Sequence, residues 1–210
     1  MNNNKHVQFG CAWSAPDSWR NFDASPTLRY ERLPVIGRLY TKNAMRFPEN
    51  VEYGDVVKGL PIQPGSCDAV YCSHVLEHLS LEDFRAAIIN TYELLSPGGV
   101  FRLVVPDLEA LANAYVKSKD PLAAVVFMQD SFLGSISRPR GLTGALKAFL
   151  GNNAHLWMWD YKSLQHELDH AGFVNIRRCE FGDADDPLFK DVEDRDRFVN
   201  AVAIESRRPI

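Results

Sequence analysis

The sequence predicts an α/β fold: a three-layer sandwich with one mostly parallel seven-stranded sheet, helices on both faces and an antiparallel strand at one edge. Short β-prone runs alternate with segments of helical periodicity along the chain, which favours parallel pairing. No helical pattern separates the last two runs, so we expect those two strands to pair antiparallel. A length of 210 residues suits one domain with a sizeable core, and we treat 1–210 as a single domain.

The predicted strands are short and end at turn-forming or polar residues. In chain order they span 6–9, 19–22, 51–53, 67–72, 100–105, 173–181 and 198–205. The carboxyl ends of parallel strands lie along one side of a sheet, where ligands of open α/β folds bind. The residues that directly follow each strand are therefore the candidates for a binding site.

Helices are predicted between these strands. The clearest begins after Ser80, where Asp83 completes a capping box, and it ends at the Ser96-Pro97-Gly98-Gly99 turn. Others are expected over 108–117 and 161–171, with a short one within 25–48. The stretch over 119–155 is helix-prone but interrupted by glycines and a proline, and we interpret it as a cap inserted on the acceptor side of the site.

Composition narrows the class of protein. A net charge of -4 gives no general attraction to nucleic acid, so we expect no nucleic-acid partner. No apolar run reaches the roughly 18 residues that suggest a bilayer span, and the polar start lacks a signal peptide. The cysteines form no CxxC pair, so we expect reduced thiols in a soluble, cytoplasmic protein; they are Cys11, Cys67, Cys72 and Cys179.

Five sequence segments carry a family resemblance. Phe9-Gly10-Cys11-Ala12 with Trp19 to Asp23 resembles a "GCG…gWxNxD" opening, and residues 67–79 (CDAVYCSHVLEHL) resemble "fDaVyssHvLEHl". Residues 93–99 are similar to "rvLkPGG", 155–160 to "HxWmwd" and 171–173 to "aGF". In this order the segments resemble the class I S-adenosylmethionine-dependent methyltransferases, in a type 11-like branch with a shortened first motif.

The resemblance implies a Rossmann-like sheet whose seventh strand is inserted antiparallel beside the sixth. It also implies S-adenosylmethionine as cofactor. The implied contacts are Gly10, Cys11 and Ala12 under the amino-acid part, Asp23 on the ribose, Asp55 and Val56 by the adenine, and Ser73 and His74 near the methyl group.

The first motif departs from the usual pattern in two ways. Ala12 stands where the family often has a glycine. Only 13 positions separate Gly10 from Asp23, against about 20 in the related dinucleotide fingerprint. The first crossover helix is therefore expected to shrink to about one turn.

Methyl transfer is an in-line displacement that depends mainly on positioning, with a base where the acceptor is a hydroxyl or a protonated amine. His74 is the first candidate for that base, with ordering of its loop as the alternative. His155 beside Trp157 is the second, on a segment expected to face the acceptor. Asp107 is a third, although a helix N-cap is the commoner role at such a position.

Two patterns suggest metals. Residues 74–78 fit H-x-x-E-H, the inverted zinc-protease motif, but the chain between the strand and Ser80 is too short for the helix that motif needs. We therefore expect no metal, with Glu77 and His78 making local hydrogen bonds. The acidic segment over 183–196 lacks the glycine and spacing of a calcium loop and is expected to be solvated.

These observations predict an S-adenosylmethionine-dependent methyltransferase that acts on a small-molecule or glycan-type acceptor. Ala12 and the shortened loop motivate an alternative, a degenerate methyltransferase fold that serves as a non-catalytic binding or scaffold protein. A nicotinamide enzyme is disfavoured because no G-x-G-x-x-G follows the first strand.

Residues 131–153 carry Arg138, Arg140 and Lys147 without an acidic residue. This suggests either peripheral contact with an anionic or lipid-linked substrate or a solvated basic face.

Overall fold

A computed structural model describes residues 4–34, 37, 45–137 and 154–210. Seven strands form one sheet in the order β3-β2-β1-β4-β5-β7-β6. They are β1 (His6–Phe9), β2 (Arg20–Asp23), β3 (Val51–Tyr53), β4 (Cys67–Ser73), β5 (Leu95–Pro106), β6 (Val174–Arg178) and β7 (Ala201–Arg207). The first five pair parallel, and β7 is antiparallel to both β5 and β6. The predicted fold is thus confirmed, with β7 inserted between β5 and the edge strand β6.

Five α-helices lie within the described residues: α1 (Pro26–Glu31), α2 (Leu81–Leu94), α3 (Leu108–Lys117), α4 (Ala123–Asp130) and α5 (Tyr161–His170). The predicted cap of α2 is confirmed, since the Ser80 hydroxyl oxygen accepts the Asp83 N–H at 3.2 Å. No helix lies between β1 and β2, whose connecting residues 10–19 are all described, and α1 follows β2. The crossover from β1 to β2 is therefore shortened, as the sequence suggests.

The core lies on both faces of the sheet. Along β4, Val70 and Cys72 belong to the apolar cluster that also contains residues of α2 and α5. Ala69 and Tyr71 alternate with them and belong to a second cluster with Phe189. A strand buried on both faces reads as a continuous apolar run, which is why the sequence CDAVYC identifies it.

The second face is covered by the acidic segment after β6. Arg102 of β5 is 0% exposed and forms ion pairs with Glu193 at 2.6 Å and Asp183 at 2.8 Å from that segment. Glu205 of β7 is its third partner, at 2.9 Å. The prediction of a solvated acidic loop is wrong here, because a buried arginine draws two of its carboxylates inward.

Element boundaries agree closely where a turn fixes them, as at β1, β3 and α3. β5 begins earlier than predicted, since Leu95 already pairs with Cys67 of β4. The four cysteines are free and buried, as expected. No helix among the described residues combines the length and apolar character required to cross a membrane. Residues 138–153, with Arg138, Arg140 and Lys147, lie outside the described part of the chain.

Candidate functional site

The loop after β1 has a backbone that only small residues accommodate. Gly10 has φ +65°, and a Cβ there would lie 2.2 Å from Cγ2 of Val75. Ala12 also has positive φ, at 47°. The Cys11 N–H donates to the Phe22 carbonyl oxygen at 3.1 Å, which fixes this loop against the end of β2. The loop therefore presents its backbone closely at the carboxyl edge of the sheet.

Asp23 at the end of β2 fastens the same loop. One carboxylate oxygen accepts the Ala12 N–H at 3.0 Å, and the other accepts the Ser25 N–H at 2.8 Å. Among the described residues, no cation pairs with this carboxylate. Burial raises the pKa of Asp23 above its ordinary 3.8, an effect that the two N–H donors oppose. Each oxygen keeps a lone pair that can accept a hydroxyl of a ligand.

Asp55 and Val56 lie in the turn after β3. Asp55 accepts the Val57 N–H at 3.1 Å and pairs with Lys58 at 2.8 Å, while Val56 is buried. The Gly54 N–H donates to the Asp23 carbonyl oxygen at 3.2 Å, so this turn adjoins the end of β2. The two predicted carboxylates therefore follow neighbouring strands at one edge.

A cleft of about 220 Å³ lies between the loop after β1, the end of β4 and the segment over 192–197. Gly10, Ala12 and Ser73 line it together with Tyr71. The hydroxyls of Tyr71 and Ser73 are buried near each other, and neither forms a hydrogen bond of good geometry in the described chain. Buried hydroxyls without partners are costly, so this wall is suited to a polar ligand.

His74 follows β4 with φ +54°, and both of its ring nitrogens face protein atoms. Nε2 lies 2.9 Å from the Arg197 carbonyl oxygen, and Nδ1 lies 3.4 Å from Oε1 of Glu77. Because a carbonyl only accepts, Nε2 carries a hydrogen, and Nδ1 is the ring nitrogen that faces Glu77.

His155 meets this loop from the second half of the chain. Its Nε2 lies 4.0 Å from Oε1 of Glu77, and its ring packs edge-on against His78 at 5.0 Å between centroids. The N–H groups of Leu156 and Trp157 donate to the Glu77 carbonyl oxygen at 2.8 and 3.1 Å, which holds the two segments together. Burial lowers the pKa of His155 despite the nearby carboxylate, which favours the neutral ring.

Other candidates have structural roles. Asp107 accepts the Glu109 N–H at 2.9 Å as the N-cap of α3. Trp159 is buried against Phe84 with ring centroids 4.0 Å apart. Asp107 thus has the N-cap role that is commoner at such a position. Trp159 has the packing role that is commoner for a buried aromatic residue.

Glu77 is the site residue whose role the sequence misses. We expected local hydrogen bonds from Glu77 and His78. Instead, neither Glu77 carboxylate oxygen is hydrogen-bonded in the described chain, and His78 Nδ1 lies 3.2 Å from the distant Ala154 carbonyl oxygen. The prediction is wrong for both side chains: the Glu77 carboxylate lies near His74 and His78 without a hydrogen bond, and the partner of His78 comes from a segment far along the chain. The H-x-x-E-H pattern is the signal that could have identified Glu77.

The sheet order, with β7 antiparallel between β5 and β6, and the cleft at the carboxyl ends of β1 and β4 define a Rossmann-like α/β protein of the methyltransferase type. A family model described as a methyltransferase domain matches residues 4–178. The chain belongs to this methyltransferase domain family. No curated protein matches the sequence at a significant level.

Solved structures of similar fold include other methyltransferases. One is the methyltransferase of Haloferax volcanii in complex with the Trm112 methyltransferase activator, at 15% identity, TM-score 0.50, and coverage of 98% of this chain and 82% of that one. A SAM-dependent methyltransferase from Thermotoga maritima has 14% identity, TM-score 0.50 and coverage of 97% and 81%. Phosphoethanolamine N-methyltransferase 2 of Haemonchus contortus, solved with S-adenosyl-L-methionine, has 11% identity, TM-score 0.50 and coverage of 98% and 48%. At these identities the similarity concerns the fold.

Proposed function

We propose that the protein binds S-adenosylmethionine at the carboxyl ends of β1, β2 and β4 and transfers its methyl group to a small-molecule or glycan-type acceptor. Asp23 is the observation on which this rests. Its carboxylate is held by two backbone N–H groups, pairs with no cation in the described chain, and keeps acceptor capacity for two ribose hydroxyls.

Residues that line the cleft, and others at the ends of β2 and β3 that do not line it, fit the parts of such a ligand. The backbone of Gly10, Cys11 and Ala12 would lie under the amino-acid part, and Asp55 with Val56 would border the adenine. Ser73, whose buried hydroxyl lacks a hydrogen bond of good geometry, lines the cleft where polar groups of the cofactor would lie. The bound cofactor supplies a methyl group on a sulfonium sulfur, and the protein contributes alignment.

A base for the acceptor would come from the loop after β4 or from the segment that packs on it. His74 and His155 are the candidates. His155 is held mostly neutral by burial, which leaves a nitrogen able to take a proton. Nδ1 of His74 faces Glu77, so a catalytic role for His74 requires its ring to turn toward the acceptor.

Isothermal titration with S-adenosylmethionine and S-adenosylhomocysteine tests the first step. Asp23→Ala is expected to weaken binding by about 1–3 kcal/mol, because charge-assisted hydrogen bonds are lost. Asp23→Asn should also lose affinity, because its amide NH2 would face one of the two backbone N–H donors. Asp185→Ala is the control, since Asp185 is exposed and is not among the cleft-lining residues. No binding to the unaltered protein, or equal affinity in Asp23→Ala, would contradict the proposal.

Turnover is a separate question. Transfer of a labelled methyl group should be measured on a panel of free sugars, glycans and small amines or alcohols. Cofactor binding without transfer to any of them, together with a stable protein complex, would favour the scaffold alternative that Ala12 motivates.

A further inference from the structure

A buried carboxylate lies among three imidazoles beside the proposed cofactor cleft. The Glu77 side chain is 1% exposed, and neither of its oxygens has a hydrogen-bond partner in the described chain. Its Oε1 lies 3.4 Å from His74 Nδ1, 3.9 Å from His78 Nε2 and 4.0 Å from His155 Nε2. Burying a carboxylate without donors is costly, so a compensating cation is needed at this position.

The hydrogen bonds of His78 define which nitrogen is free. Its Nδ1 lies 3.2 Å from the Ala154 carbonyl oxygen, which can only accept. Nδ1 therefore carries the hydrogen in a neutral ring, and the Nε2 lone pair points toward the Glu77 oxygen. Two electron-rich atoms that face each other repel unless a proton or a metal cation lies between them. A histidine that donates one N–H to a carbonyl and presents the other nitrogen is the usual arrangement of a metal ligand.

We propose that Glu77, His78 and His155 bind a divalent first-row transition-metal ion of the Zn²⁺ type. Their ligand atoms all lie within 4.8 Å of one another. Bonds of about 2.0–2.2 Å to a tetrahedral ion place ligand atoms roughly 3.4 Å apart, so small side-chain shifts complete the site. Two imidazoles with one carboxylate suit such ions better than Mg²⁺ or Ca²⁺, which prefer all-oxygen ligands.

Three protein ligands leave a coordination position for a further oxygen, as in catalytic zinc sites. The ligand set differs from the H-x-x-E-H pattern, in which two histidines on one helix bind the ion. Here residues 76–78 form a single 3-10 turn, and the third ligand arrives on the segment over 154–157. A metal ion at this position contradicts the expectation of no metal from the sequence. It also makes His155 a ligand instead of a base.

Zinc binding to the purified full chain, with any affinity tag removed, tests the site. Zn²⁺ is titrated against a chromophoric chelator, and the metal content is measured by mass spectrometry after dialysis. We expect one ion per chain, with affinity reduced at least tenfold in Glu77→Gln and in His155→Gln. His78→Gln provides an independent third variant, and circular dichroism checks that each variant is folded.

His166→Gln is the matched control. His166 and His170 lie one turn apart on α5 with ring centroids 4.1 Å apart, an exposed pair that can also take up zinc. Absence of bound zinc in the unaltered protein would overturn the proposal. So would binding that is lost in His166→Gln and retained in all three cluster variants. Cofactor titrations are run separately, so failure of the metal site leaves the proposed methyl transfer standing, and the reverse also holds.

Discussion

Gly10 is the residue at which backbone conformation and close packing coincide. A side chain there meets a positive φ and a Val75 methyl group at 2.2 Å. Gly10→Ala should therefore cost about 1–2 kcal/mol for the left-handed backbone and about 1–3 kcal/mol more for overpacking. Displacement of Val75 should also weaken cofactor binding at least tenfold. Urea unfolding and isothermal titration measure the two effects.

Gly182 offers a matched control for Gly10. It has φ +76°, and an added Cβ would meet nothing within 4 Å. Gly182→Ala should therefore show the backbone cost alone and leave cofactor affinity unchanged. Equal losses of stability and affinity in the two variants would contradict the close approach at Gly10.

Asp23 gives the proposed cofactor site a pH dependence. Its ionised form accepts hydroxyl hydrogens, so binding favours the deprotonated carboxyl. Affinity should be full above the pKa of Asp23 and should fall as the pH drops through it. Because burial raises this pKa above 3.8, the decline should begin at a less acidic pH than for an exposed aspartate. Titrations from neutral pH downward measure it. Asp23→Asn should flatten the profile, and an unchanged profile in that variant would exclude Asp23.

The N-cap of α5 is a well-defined local interaction. Asp160 accepts the Ser163 N–H at 2.8 Å and the Ser163 hydroxyl at 2.6 Å. These hydrogen bonds, the hydroxyl first, lower the pKa of Asp160 below 3.8. Asp160→Ala should reduce the free energy of unfolding by about 1 kcal/mol at neutral pH.

The sign of the pH effect follows from the direction of that shift. A depressed pKa in the folded state means that the stabilisation is present above about 3.8, the unfolded value, and is lost as the pH falls through the folded value. The difference between the unaltered protein and Asp160→Ala should therefore shrink in acid urea unfolding. Asp169→Ala, an exposed change near the other end of α5, is the control. A difference that grows in acid would contradict the cap.

Elements with local signals were predictable from the sequence. The Ser80 cap fixes the start of α2, and a nearly continuous apolar run identifies β4. The approach of His155 to Glu77 and the ion pairs of Arg102 were not predictable, because these partners come from segments far apart along the chain. A single arginine within VFRLVV is typical of a strand residue that points to solvent. The acidic segment is typical of a solvated loop. Only the folded sheet brings the two together. The family segments predicted Asp23 near the loop after β1, since both follow adjacent strands.

The two faces of the sheet are stabilised differently. One face packs against α2 and α5 through apolar side chains. The other is closed by the acidic segment, whose Phe189 and Val192 are buried while Asp183 and Glu193 pair with Arg102. The same segment reaches the cleft, where the Arg197 carbonyl oxygen accepts from His74. Closure of this face and the shape of the cleft are thereby linked.

Arg102→Met is the strongest test of that closure. The change removes the cation but leaves Glu193 and Glu205 buried, at 0% and 7% side-chain exposure. Removing one partner of a buried ion pair typically costs about 3–5 kcal/mol, because an uncompensated charge remains. The triple variant with Glu193→Gln and Glu205→Gln should recover part of that loss. Urea unfolding at neutral pH measures the effects of both variants.

Arg85→Met is the control. It removes an exposed arginine that pairs with Glu167, and it should cost far less stability. Equal losses in Arg102→Met and Arg85→Met would show that the acidic segment closes the sheet without help from the buried charges.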